Sequence, residues 1–226
     1  MAYQDLPLGH SPPAPTPATD AAVGTTRPSR QPLELPALDA SDTFVRDLVA
    51  TLSTHPLIAR VMTPAGVVRM IVLAVEQIGE GRTPSVPLKS LQPATRLTLA
   101  GPAGADQGRI DPASFARWDG AVSALTSVRS RDAAQLYVNL KPLFDAAYAD
   151  LGHPGGDFDE SLTRAIRMLL ETPDVADDGV VLLRRPAYME HTDPALRALR
   201  PVQKQFLLVG ELHRASLRAW MSNFAK

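Results

Sequence analysis

The chain has 226 residues, 45% of them hydrophobic and 21% charged, an ordinary globular composition with room for one sizeable core and a tail. A formal net charge of −1 gives no general attraction for nucleic acid or an anionic membrane surface. The absence of cysteine excludes disulfides, thiolate nucleophiles and cysteine metal sites.

The first residues, MAYQDLPLGHSPP, have neither the basic start nor the apolar core of a secretory signal. No run of about 18 apolar residues is present, so no membrane span is expected and the chain reads as soluble, in no assigned compartment. Residues 1–37 hold eight of the 21 prolines, with mostly Ala, Thr, Ser and Gln between them. Such a segment buries too little apolar surface to offset its ordering entropy, so a disordered Pro-rich tail or linker is expected. Fully extended at ~3.1 Å per residue, it would reach about 110 Å.

The remainder, 38–226, reads as a single, mainly α, multi-helix domain with one minor β-hairpin. Ser41 and Asp42 introduce a short helix with Phe44, Val45, Leu48, Val49 and Leu52 on its face, ending before His55-Pro56. Thr63-Pro64 opens a second, since proline is favoured at a first helical position. Its face is Val67, Ile71, Ala74, Val75 and Ile78, and Gly79 and Gly81 stop it. Prolines at 84, 87, 93 and 102 prevent a helix over 82–110, where RLTLA (96–100) and GRID (108–111) predict the hairpin. Asp111 caps a helix with the stripe Phe115, Trp118, Val122, Leu125 and Val128.

The most legible stretch is 131–172. Ala133, Leu136, Leu140, Phe144, Ala147 and Leu151 recur at steps of three and four, the mark of one helical face. Pro142 predicts a kink or a restart within it, and Gly152 a left-handed stop. Asp157 and Glu160, three apart, have capping-box spacing for a second helix carrying Phe158, Leu162, Ile166, Leu169 and Leu170. The two make a helical hairpin across a Gly-Pro-Gly connection. Asp177-Asp178-Gly179 is a turn, and VVLL (180–183) is a strand or an extended packing segment. A last helix runs from Pro201 to about Phe224, with the stripe Val202, Phe206, Val209, His213, Leu217, Trp220 and Phe224.

Chemistry-bearing motifs are scarce. There is no phosphate-cradling loop, Rossmann fingerprint, HExxH or nucleophile elbow, and the acidic residues between 150 and 159 miss calcium-loop spacing. Accordingly no catalytic, cofactor-binding or metal residue is assigned, and no cofactor. Of the five histidines (His10, His55, His153, His191 and His213) none forms a metal pair on one element. His213 falls in the apolar stripe as a core-boundary residue, and His153 faces solvent in a loop. Asp157, Asp159 and Glu160 form an acidic cluster best explained by helix capping. In Arg117-Trp118-Asp119, helical spacing puts Trp118 in the core and its neighbours outward. Lys204, Arg214, Arg218 and Lys226 read as a solvated face, too sparse for nucleic acid.

Six stretches together carry a resemblance: LPALDASDTFVRDLV (35–49), IDPASFARWDG (110–120), LYVNLKPLFDAAYADLGHP (136–154), FDESLTRAIRMLLETP (158–173), VVLLRRPAYME (180–190) and LRPVQKQFLLVG (199–210). The chain from 35 to 226 resembles a bacterial family, domain of unknown function 3014. The resemblance implies a mostly helical domain, commonly joined by a Pro-rich linker to one N-terminal transmembrane helix, with no assigned activity. Within these 226 residues no such helix is expected, and Gln203-Lys204-Gln205 continues with Phe206-Leu207-Leu208-Val209-Gly210-Glu211, where the family usually has Leu-Leu-Arg-Met-Gly-Pro.

Three functional readings follow. The preferred one is a non-catalytic helical module that binds an unidentified protein partner, carried on a flexible linker. The alternative is an enzyme or small-ligand binder using the acids at 157–160 with a histidine in an inter-helix cleft. A third places the chain in the cell envelope.

Overall fold

A computed structural model describes residues 34–102 and 104–226. Residues 1–33 of the expected tail lie outside the described residues. Leu35, at the other end of that stretch, already packs on the domain core.

Helix α1 (Ser41–Leu52) and helix α2 (Pro56–Val61) are followed by α3 (Val67–Gly79). Proline at 56, not 64, opens a helix, with His55 Nδ1 accepting the Leu57 N–H. Thr63-Pro64 instead sits in a turn, because Gly66 takes a left-handed φ of 72° and delays α3 to Val67. Nor does Asp42 cap its own helix. Its carboxylate reaches across to accept the N–H groups of Gly66 and Val67 at 2.8 and 2.9 Å, capping α3 from α1.

A four-stranded antiparallel sheet follows in order β1 (Leu99–Ala100), β2 (Gln107–Ile110), β3 (Val181–Arg184), β4 (Met189–His191). The expected hairpin is its first pair, with Leu99 opposite Ile110. VVLL supplies β3, which pairs with β2 across more than 70 residues of sequence and then with β4. Between the two hairpins, Asp111 caps a 3₁₀ segment over Pro112–Trp118 that leads into α4 (Asp119–Ser127).

Helix α5 (Ser130–Asp150) continues through Pro142 without a break. A mid-helix proline costs about 3 kcal/mol. Burial of Leu140, Leu143 and Phe144, at roughly 1.5–3 kcal/mol each, outweighs that. Val138, whose carbonyl loses its partner, is exposed, so the break in the hydrogen-bond ladder lies on the solvent side of the helix. Gly152 stops the helix with φ 111° and the His153 N–H returning to the Tyr148 carbonyl. Helix α6 (Phe158–Leu170) is capped by Asp157 through the Asp159 N–H, while Glu160 points to solvent, so no reciprocal capping box forms. The hairpin does not stand alone, since α3 packs against both α5 and α6. Val45, Val68, Val72, Leu140, Phe144 and Phe158 make the main core, with Phe144 and Phe158 stacked at 5.4 Å.

The expected last helix is broken. A short α7 (Pro194–Ala198) leads to α8 (Pro201–Leu207) and then α9 (Glu211–Phe224). Gly210 makes the break with φ 93°. The ring of Phe115 lies so close that a Cβ at 210 would meet it at 2.8 Å. Asp177 accepts the Glu211 N–H at 2.8 Å, capping α9 from outside. Arg214 is 1% exposed rather than solvated. It donates to the carbonyls of Leu207 and Val175 and to Asp177. Arg218 likewise donates to the carbonyls of Leu170 and Thr172. No described helix is long and apolar enough to cross a membrane.

Two stability outcomes follow. Gly210→Ala should lose about 2 kcal/mol, from a left-handed φ and a ring contact that alanine cannot share, read by urea unfolding. Asp42 is partly desolvated, but the hydrogen bonds from Val67 and Gly66 and the nearby Arg46 more than offset this and hold its carboxyl below the ordinary 3.8. Its stabilisation is therefore complete above the ordinary value and disappears as pH falls through the lowered one. Asp42→Asn should cost about 1 kcal/mol at neutral pH, and the gap to wild type should close progressively below about pH 4.

Candidate functional site

The acidic cluster is brought together, but around a lysine. Lys141 Nζ lies 2.9 Å from Asp145, 2.6 Å from Asp157 and 3.4 Å from Asp159. Tyr137 donates its hydroxyl to Asp159. Partial burial would lower the lysine's pKa, yet its hydrogen bonds to Asp157 and Asp145 raise it well above the usual range. Asp157 is in turn held below the usual carboxylate range, first by Lys141 and then by the Asp159 N–H. These charges tie α5 to the first turn of α6. No histidine joins them, and Glu160 stays apart in solvent.

His153 stacks on Tyr148 with centroids 4.2 Å apart, and its Nε2 stands 3.5 Å from Glu76, so it does not simply face solvent. Glu76 is a buried carboxylate that also accepts from Ser161 and lies 3.2 Å from Arg164. Ser161 is fully buried, which seals its hydroxyl from any substrate. Glu76 follows Val68 and Val72 at steps of four, so the helical period placed it on the buried face of α3. His213 holds the core boundary as expected. Its Nδ1 is 2.7 Å from the Val209 carbonyl and its Nε2 is 2.9 Å from Asp119.

The feature with chemical capacity lies elsewhere. Two secondary cores leave space between them. One backs the sheet with Ile110, Val180 and Leu182; the other joins the C-terminal helices through Phe206, Val209 and Met221. Where they fail to close, an open cleft of about 760 Å³ remains. The segment 83–93 forms one wall with Leu88 and Leu91, α4 another with Val122 and Leu125. Val202, Phe206 and Val209 come from α8 and the turn after it, and Leu217 from α9. The volume lies inside the range of small-molecule sites, roughly 300–1,000 Å³.

Polar groups in the lining are few. Thr83, Ser85, Gln92, Tyr188 and Gln205 contribute uncharged ones, and Gln92 is engaged with the Ser85 carbonyl at 2.6 Å. Arg117 is the one charged side chain among the described lining residues. It does not point outward as helical spacing implied, because 112–118 is 3₁₀ and its three-residue turn rotates the face. Its guanidinium carbon lies 5.5 Å from the centroid of the Trp118 ring. Arg117 Nε and Trp118 Nε1 are both buried without a hydrogen-bond partner among the described residues. Burial alone pulls the arginine's pKa below its usual value. No periodicity could reveal this cleft, since its walls come from six separate segments. The pair Arg117-Trp118 after an N-cap aspartate was the only local signal.

No curated protein and no solved structure matches the chain. A family profile described as "Protein of unknown function (DUF3014)" matches residues 67–224, which include every helix from α3 to α9, the whole sheet and all of the cleft. The chain therefore belongs to the DUF3014 family.

Proposed function

We propose that residues 38–226 form a non-catalytic binding domain, carried on the Pro-rich N-terminal segment as a spacer, and that the cleft is its site for an apolar ligand. One observation carries this reading: an unfilled space of about 760 Å³ walled mostly by aliphatic and aromatic side chains, larger than the second cleft of about 530 Å³ between α5, α6 and the end of α9. Apolar surface left against water forgoes about 25 cal/mol per Å², which an apolar guest recovers. The catalytic alternative finds less support, because Asp157, Asp159, Glu160, His153 and His213 do not line this space. Its ligand-binding half is retained, with arginine and tryptophan in place of carboxylates and histidine.

Binding of a protein partner is a second reading. Its support is the exposure of Tyr188, at 62%, on the cleft's rim, and of Val86, at 80%, in the segment forming one wall. Large apolar side chains so placed suit a partner that covers the mouth. Envelope association belongs to this reading and rests on the family's usual anchor.

The neutral dye N-phenyl-1-naphthylamine should brighten on the full chain. Ala121→Trp, which fills the cleft from α4, should weaken that binding at least tenfold without lowering the thermal midpoint. A dye response unchanged in this variant would refute the cleft as the site. For the second reading, Val86→Glu with Tyr188→Glu should abolish partner crosslinking in cells while dye binding stays intact.

A further inference from the structure

We propose that the ligand of this cleft is a single-chain fatty carboxylate, its hydrocarbon against the apolar walls and its carboxylate held by the terminal N–H groups of the Arg117 guanidinium. The inference deepens the ligand-site reading and depends on it.

Charge decides the head group. The described lining offers one cation and no anion. Arg117 is half-buried, with no carboxylate among the lining residues beside it, so an anion that reaches its guanidinium gains a charge-assisted pair. The stack on Trp118 compensates its face only, since a guanidinium keeps its N–H groups in its own plane. Those N–H groups match a carboxylate in bidentate fashion. One guanidinium balances one negative charge, so a carboxylate fits better than a phosphate monoester, which carries up to two.

The rest of the lining decides the tail. A peptide segment would bring a backbone donor and acceptor with nearly every residue, and each would need a partner once buried. Beyond Arg117 and Trp118 the polar side chains of the walls are Thr83, Ser85, Gln92, Tyr188 and Gln205, with Gln92 already engaged. A hydrocarbon chain makes no such demand. Leu88, Leu125, Val202 and Leu217 present the flexible or branched aliphatic surface that accommodates one.

The test displaces N-phenyl-1-naphthylamine from the full chain, stripped of bound lipid, with hexadecanoate and with hexadecan-1-ol below their aggregation limits. The two share a chain and differ in the head. Expected is displacement by the acid at one-tenth or less of the alcohol concentration. Arg117→Gln should erase that difference by weakening the acid alone, and Arg117→Lys should restore part of it. Equal displacement by acid and alcohol in the wild type would overturn the anionic head and leave the apolar cleft standing. Failure of the dye itself to bind would overturn both. Tighter binding of a single-chain lipid phosphate, or of an apolar peptide, than of hexadecanoate would assign a different occupant and overturn the proposal. The acid-to-alcohol ratio needs no mutant, so it stands even where Arg117→Gln folds poorly.

Discussion

The break at Gly210 sets the geometry on which the candidate site depends. An uninterrupted helix from 201 to 224 would carry Val202 and Leu217 some 22 Å apart along one axis, at 1.5 Å per residue. With the chain turned at Gly210, α8 and α9 instead meet and both line the same cleft. The contact that demands glycine is with Phe115, which stands two residues before Arg117. One steric constraint thus turns the C-terminal helices and fixes the segment that carries Arg117, the one charged side chain among the described lining residues. Asp177 and Arg214 hold the same turn from the other side, linking it to the strand that follows at Val181.

The molecule separates rigidity from vacancy. The helices α1, α3, α5 and α6 surround a dense aromatic and aliphatic core, reinforced by Asp42 across α1 and α3 and by Lys141 across α5 and α6. The second half of the domain is built of smaller clusters around a short sheet. Those clusters approach one another without merging, and the segment 83–93, rich in proline and anchored by few hydrogen bonds, closes the remaining side.

Much of this architecture was legible in local sequence. The periods of α3, α5 and α6, the stops at Gly79 and Gly152, the cap at Asp157 and the hairpin at 96–111 all reflect forces acting over a few residues. Where the reading went wrong, the deciding partner was distant. Asp42 read only as part of the start of its own helix, yet the N–H groups it satisfies are 24 and 25 residues away. Arg214 looked solvated because its spacing is polar, while the carbonyls it serves belong to α8 and to the loop before β3. Across Gly210 the apolar steps remain helical, since both helices present their stripes to the same cluster; the glycine was the only sign of the break. Arg117 was misplaced for want of knowing that its turn is 3₁₀. The cleft is a property of how six segments meet, and no single stretch encodes it.

The central claim is that this cleft, not the acidic cluster or the main core, is where the domain binds. It is tested most directly by methyl and indole resonances of the isotopically labelled full chain, at 24.3 kDa, as hexadecanoate is added. The account predicts saturable shifts at the Trp118 indole N–H and at methyls of Leu88, Val122, Leu125, Val209 and Leu217, with Val72 and Leu140 unmoved. Resonances of the cleft that stay fixed while the ligand saturates, or shifts centred on the α5–α6 acids, would contradict it.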